Sequence, residues 1–556
     1  MPTGVHQARS RGARTPFDPR GRTRRGRRIT AALAAAIVAL SSAACTNEPG
    51  PEAPPTSSVA APPPNAPIRA NARPGGSSLL PSDLTDETTR RLASLIYRGL
   101  VAYDAKGKAT PALATSLTST DGLVWTIRLS PGAEFADSSP ITATTFARSW
   151  AFTAARTAAS GASTPLARID GYPGDGRSIS GVEAVDETTL RVTLSHAAPG
   201  FGNELGDPTT VPLPPRAIAD PATAAVHPVG NGPYVLDTEW TGGGVYTLRP
   251  NGVYSGADKP VNAGLTFHTY TALGQAYDDL VSGNLDLIDE LPPDKAAEVA
   301  RVGFTVGRQP VGMAVSLDFP AAAADWAGIA GTHRRYALAT AIDRARAAQQ
   351  DYAGARTPAT DLAAPVVDGY SPDLCGDVCA ADPEAAAEAW QAAGPLASLT
   401  IAYASDGADV VAVNAICADV TRVLGAACSG TPYPDETSLR TAVRAGEVNG
   451  PYLRTWRMRQ RSLSGFLVPR FSPGALENWG GYVDPLAQTQ LAVAVGAPPA
   501  TSSAAFGAAQ RLILTTLPAI PLWSVNATTT SAKTVTNVLT DAEGVPVYGQ
   551  IKRPAG

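Results

Sequence analysis

Trp125-Thr-Ile-Arg-Leu-Ser-Pro-Gly-Ala-Glu-Phe-Ala-Asp137, followed by Pro140-Ile-Thr-Ala143, is the stretch on which the reading of this chain turns. Leu123 to Leu129 alternates apolar and polar residues, the pattern of a half-buried strand. Pro140 to Trp150 changes to a helical period. Thr142 stands where an N-cap belongs, and Phe146 and Trp150 lie on one face, four apart. Further out, Asp186 to Leu194 reads as a turn entering a strand. Arg335 to Arg346 reads as one amphipathic helix that buries Leu338 and Ile342. Thr241 to Gly244 reads as a hairpin turn. Leu517 to Trp523 reads as a short apolar strand broken by prolines, hence an edge strand or a crossing segment. Such a mixture predicts an α/β or α+β protein of several lobes.

The N-terminal end reads as a targeting segment. Arg9 to Arg28 is basic, Ile29 to Ala44 is apolar and small, and Cys45 follows directly. These are the three regions of a secretory signal, here 1–44. An N-terminal anchor helix is the alternative, but a span needs about 20 apolar residues. Leu40-Ser-Ser-Ala-Ala-Cys45 resembles a bacterial lipobox, with Ser42 where leucine is usual. The resemblance implies lipidation of Cys45 and attachment to the outer face of the cell membrane, each buried CH₂ contributing about 0.8 kcal/mol. Thr23-Arg24-Arg25 leaves twin-arginine export open beside the general route. Residues 45–67 are rich in Pro, Ala and Ser and read as an extended spacer. No other apolar run approaches membrane length. The net charge is −4 over 556 residues. Because the basic block lies in the signal, the remainder is more acidic still, which argues against nucleic acid as a partner.

Chemistry-bearing motifs are missing. No nucleophile elbow, phosphate loop, HExxH helix or dinucleotide fingerprint stands in its required context. His6, His196, His227, His268 and His333 are scattered. The cysteines after Cys45 form two local pairs, Cys375 with Cys379 and Cys417 with Cys428. An oxidising compartment favours two disulfides. Half of a metal site at Cys375 and Cys379 is the alternative, with the nearest histidine, His333, remote in sequence. No cofactor and no enzymatic activity are expected.

Several stretches then align in order with one family. Ile96-Tyr-Arg-Gly-Leu-Val-Ala-Tyr-Asp104, Thr110-Pro-Ala-Leu-Ala-Thr-Ser-Leu117 and the opening signature are followed by Asn231-Gly-Pro-Tyr234 and Gly283-Asn-Leu-Asp286. Arg335 to Arg344 and Ile520-Pro-Leu-Trp523 complete the series. From about Ile68 to the end the chain resembles the family 5 extracellular solute-binding proteins, the oligopeptide and dipeptide receptors of ABC importers. Ser138-Ser139 departs from the signature, and 354–382 matches poorly. The resemblance implies an α/β, two-lobed periplasmic-binding-protein type II-like fold with an additional inserted N-terminal domain. Lobe I would comprise 68–96, 215–310 and 526–556, the insert 97–214, and lobe II 311–525. Hinge closure would bury the ligand. The implied partners are a peptide or a related small solute and the permease subunits, with the receptor itself a monomer.

The resemblance also implies a pocket. Thr85, Asp86 and Glu87 would contact ligand from the first lobe, with Asp289 and Glu290 as a second contact. Tyr452-Leu-Arg-Thr-Trp456 resembles the pocket strand of the other lobe, placing Arg454 and Trp456 at the ligand, and Trp523 lies near the last crossing strand. In peptide-binding members an Asp three residues after the pocket Trp holds the ligand's amino group. Here that position is Arg459. A guanidinium and an ammonium about 4 Å apart repel by about 4 kcal/mol at an effective dielectric of about 20. Three readings follow: a slipped alignment, another acid such as Asp289 at the amine, or a ligand that is not an ordinary peptide. Arg457, Arg459 and Arg461 would then clamp a carboxylate or phosphate, or else form a solvated basic turn. The unusual charge also motivates an alternative function, a cell-envelope regulatory or scaffold lipoprotein of the same fold.

Overall fold

A computed structural model gives the fold. It describes residues 63, 65–84, 86–104, 107–160, 164–198, 200–352, 354–405, 409–458 and 461–554. The signal segment, Cys45, Thr85 and Arg459 lie outside the described residues. No helix among the described residues is long and apolar enough to cross a membrane.

In chain order, β1 (Ile68–Ala72) opens a first lobe. The chain then leaves it for an inserted unit with β2 (Val101–Tyr103), β3 (Ala109–Pro111), β4 (Ala114–Thr118), β5 (Val124–Leu129), β6 (Val182–Ala184) and β7 (Thr189–Thr193). It returns through β8 (Tyr234–Leu236), β9 (Val245–Pro250), β10 (Leu265–Thr269), β11 (Leu287–Ile288) and β12 (Thr305–Val306). A second lobe follows, with β13 (Gln309–Asp318), β14 (Arg356–Pro358), β15 (Ser398–Ala404), β16 (Ala427–Tyr433), β17 (Tyr452–Arg457) and β18 (Ala519–Ala527). Finally β19 (Thr530–Ser531) rejoins the first lobe. The sheet orders are β12-β19-β11-β1-β10-β9-β8 in the first lobe and β14-β18-β13-β17-β15-β16 in the second. The inserted unit carries β4-β5-β7-β6 and the hairpin β2-β3.

The lobes are joined by two crossings, between β12 and β13 and between β18 and β19. They run side by side, and the Gly307 N–H donates to the Thr529 carbonyl at 2.8 Å. Paired short crossings are the arrangement a hinge requires, because few residues then absorb the rotation.

Local sequence explains the elements. β1 lies between the parallel strands β10 and β11, and its apolar residues Ile68, Ala70 and Ala72, which share one face, are all buried. In the inserted unit β5 pairs with β4 and β7, and the helix Ala143–Ser160 follows. Thr142 Oγ1 accepts from the Thr145 N–H at 3.3 Å, the cap its position suggested. Phe146 and Trp150 are fully buried, edge to face at 5.8 Å. The cysteines pair locally as Cys375–Cys379 and Cys417–Cys428.

Two expectations are corrected. Arg335 to Arg346 is not one helix. The helix Gly328–Ala341 ends at the extended residue Ile342, and Asp343 caps a second helix, Arg344–Gln350, by accepting from the Arg346 N–H at 2.9 Å. Ending a helix leaves its last carbonyls without partners. The buried Arg344 guanidinium supplies them, donating to Ala339 at 2.9 Å and Ile342 at 3.3 Å, and also to Pro521 at 2.8 Å. Burial without a carboxylate pushes Arg344 down to about 10. The proline-broken segment is a crossing strand but not an edge strand, since β18 lies between β13 and β14. Pro521 is tolerated there because the register slips between Val315 and Ser316, so the missing donor falls at an irregularity.

The first lobe is fastened to its C-terminal segment by one buried carboxylate. Asp286 accepts from the Arg69 N–H and Arg69 Nη2 at 2.8 Å and from Arg553 Nη2 at 2.5 Å. Burial opposes its charge, but the two arginines outweigh burial and hold the carboxyl below the usual carboxylate range. The carboxyl therefore contributes stability above the unfolded-chain value of about 3.9, lost as pH falls through the lower folded value. Asp286→Asn is expected to cost about 3–5 kcal/mol at pH 7, because it strands two arginines. Urea titrations at neutral and acidic pH should show that deficit shrinking below about pH 4.

Candidate ligand-binding cleft

Both lobes and the inserted unit line one cleft of about 2180 Å³. Its first-lobe wall begins at the helix Glu87–Ile96. Asp86 caps this helix, accepting from the Thr89 N–H at 2.9 Å and the Gly76 N–H at 2.8 Å, so its carboxylate is occupied by the fold. Glu87, the next residue, is exposed in the cleft. Its carboxylate accepts from Arg91 at 3.1 Å and from Arg457 of the second lobe at 3.3 Å. Asp289 stands behind Arg91, with Asn71 Nδ2 donating to it at 2.7 Å and Arg91 in direct contact. Burial opposes its charge, but Arg91 outweighs burial and keeps the carboxyl below the ordinary range.

The C-terminal turn Asp541–Val545 completes this wall. Asp541 accepts from the N–H groups of Glu543 and Val545, both at 2.9 Å. The Ala542 carbonyl accepts from the Gly312 N–H at 2.7 Å, tying the turn to β13. The recess raises both acids above their ordinary values, and the Asp541 charge adds to the effect at Glu543 although that side chain is open to the cleft.

The second-lobe wall is β17. It pairs with β13 along its whole length, Arg457 opposite Met313 through Tyr452 opposite Asp318. It meets β15 only at Tyr452. The Met458 N–H donates to the Gly312 carbonyl at 2.7 Å, on the β13 side. By the period of two, the main-chain groups of Thr455 and Arg457 point to the other edge. Among the described residues no strand pairs with that edge beyond Tyr452, where β15 takes it up. Thr455, Trp456 and Arg457 line the cleft, as does Arg461, whose Nε donates to the Val366 carbonyl at 2.8 Å and pairs with Asp368 at 3.0 Å.

The expected contacts separate accordingly. Asp86, Glu87 and Trp456 line the cleft. Arg454 does not, although it shares its strand face with Trp456, because its guanidinium is drawn to Glu477. It is buried, donates to Glu477 Oε2 at 2.7 Å and lies 3.8 Å over the Trp479 ring. Asp289 and Glu290 are held by Arg91 and Arg73 rather than presented to the cleft. Trp523 is fully buried in the second-lobe core, its Nε1 donating to the Arg344 carbonyl at 3.0 Å. Arg457 was expected only as one member of an arginine clamp, and the turn around Glu543 was absent from the expected pocket. For Arg457 the run of three alternating arginines was the available signal; for Glu543 the sequence offers none.

Two lobes joined by paired crossings around one cleft define a binding protein of the periplasmic type. The model of bacterial extracellular solute-binding proteins, family 5 (its middle part) matches residues 108–453, more than half of the chain, and the chain belongs to that family. Its members are extracytoplasmic binding proteins, not enzymes. The glutathione-binding protein GsiB of Escherichia coli O1:K1 is 34% identical over 163 residues, which are 29% of this chain and 30% of that relative. The matched part thus spans less than a third of the length of such curated relatives. Among solved structures, the E. coli murein tripeptide binding protein MppA superposes with a TM-score of 0.70 at 20% identity, covering 87% of this chain and 98% of that one. The substrate binding protein CtaP of Listeria monocytogenes gives 0.74 at 19% identity, covering 88% and 99%. Both likenesses establish the shared two-lobed α/β fold.

Proposed function

We propose that this chain is the lipid-anchored receptor of an ABC importer and captures short peptides in the interlobe cleft. The observation that carries this reading is the edge of β17 left open beyond Tyr452. A peptide laid beside it gains main-chain hydrogen bonds at Thr455 and Arg457, the economy of adding a strand to a sheet. Such bonds are indifferent to side-chain identity, which suits a receptor that accepts many peptides. Charges of both signs on the walls suit a ligand with both termini ionised. The names of GsiB and MppA, for glutathione and a murein tripeptide, point the same way. A ligand touching both lobes favours the closed form, and the permease subunits would recognise that form. Anchoring is inferred from the lipobox-like stretch ending in Cys45.

A thermal-shift screen of the purified chain against free peptides, amino-blocked peptides and anionic sugars tests the reading. A peptide at about a hundredfold its dissociation constant is expected to add about 2.7 kcal/mol of stability, read as a rise in melting temperature. No shift with any peptide would overturn it.

A further inference from the structure

Glu87 and Arg457 reach each other across the cleft from opposite lobes, 3.3 Å apart, and remain 54% and 43% exposed. Each is also held on its own side. Arg91 donates to the second oxygen of Glu87 at 3.1 Å. Arg457 Nη1 donates to the Glu543 carbonyl at 2.9 Å. Either partner can therefore release the other and keep its position. Exposed pairs of this kind contribute little to stability, so a ligand can part them.

A ligand entering here meets a carboxylate on one wall and a guanidinium on the other, one ion-pair length apart. A group that answers only Glu87 leaves Arg457, whose other contact is a neutral carbonyl, without a counter-ion as closure removes water. A carbon that bears both an ammonium and a carboxylate answers both. Its ammonium donates to Glu87, and its carboxylate accepts the fork of Arg457. The rest of the ligand then runs along the open edge of β17 at Thr455, where its amides find main-chain partners. We propose that Glu87 and Arg457 recognise an α-amino-acid head group, with both charges on one carbon, carried by a peptide linked through a side chain, as in γ-glutamyl peptides. This deepens the peptide-receptor reading and rests on it. An ordinary α-linked peptide carries its ammonium beside an amide, so no carboxylate shares that carbon.

Calorimetric titration of the full chain with the isomers γ-Glu-Ala and α-Glu-Ala tests the proposal, since they differ only in which carboxyl is free. The γ isomer is expected to bind at least about tenfold tighter. Glu87→Gln and Arg457→Met should each bring the isomers within about twofold, while Arg457→Lys, which keeps the charge, should retain part of the preference. Both positions are exposed, and an unchanged melting temperature shows that the variants fold. Equal affinity for the isomers in the parent, or a preference surviving both neutral substitutions, overturns the proposal. Binding of other peptides without any preference for the γ isomer also overturns it and leaves the receptor reading intact. Failure of every peptide to bind overturns both.

Discussion

Asp318→Asn is expected to lower the stability of the second lobe by about 3–5 kcal/mol, measured by urea denaturation. Asp318, on β13, lies beneath the β17 wall together with two buried arginines. Arg470 Nη2 donates to both carboxylate oxygens at 3.1 Å and to Ser316 at 2.8 Å. Arg454 Nη1 stands 3.9 Å from Asp318, while its Nη2 pairs with Glu477. Two cations therefore face two anions, and the cluster is neutral only while it is complete. Asparagine preserves the shape and removes the charge, leaving one guanidinium without a counter-ion in a desolvated site. Breaking a buried pair costs more than the pair contributes, because the surviving charge keeps its desolvation penalty. A loss below about 1 kcal/mol would show that water reaches the cluster and screens it.

Trp523→Ala is expected to cost about 3–5 kcal/mol while leaving the peptide affinity of the folded protein unchanged. The indole is fully buried, packs against Tyr352 at 5.7 Å and satisfies its N–H on the Arg344 carbonyl. Truncation leaves a cavity and frees that carbonyl, which adds to the lost transfer energy. The same Arg344 joins the end of one helix to β18, so the deletion loosens a junction as well as a packing contact. Calorimetric titration at a temperature where the variant remains folded separates the two effects. A fall in peptide affinity without a fall in stability would return Trp523 to the ligand.

The family landmarks fall on the two walls of the cleft, but not all the side chains facing into it were among them. Tyr452 to Trp456 was legible as the pocket strand, yet Arg454 turns away and Arg457 turns in. A period of two puts Arg454 on the face of Trp456, but the guanidinium is drawn to Glu477, a contact 23 residues away that the period does not state. Asp86 illustrates the same limit. Its position before an apolar helix is equally good for a ligand contact and for an N-cap, and the structure uses it as the cap. The break at Ile342 was readable in principle, since Asp343 is a capping residue, but the apolar spacing of Leu338 and Ile342 runs straight through it.

The sequence by itself determined the strand-to-helix change around Trp125 to Trp150, the Thr142 cap, the turn at the glycine run and the separations of 4 and 11 that join the cysteines. These rest on backbone preference and on residues close along the chain. Only the tertiary structure decided that Glu87 meets a residue 370 positions away, that the Asp541–Val545 turn closes the first-lobe wall, and that one edge of β17 stays open beyond Tyr452. Those features depend on which surfaces the two crossings bring face to face. Charge and spacing along a chain do not encode that, because an arginine reads the same whether it is buried against Asp318 or exposed opposite Glu87.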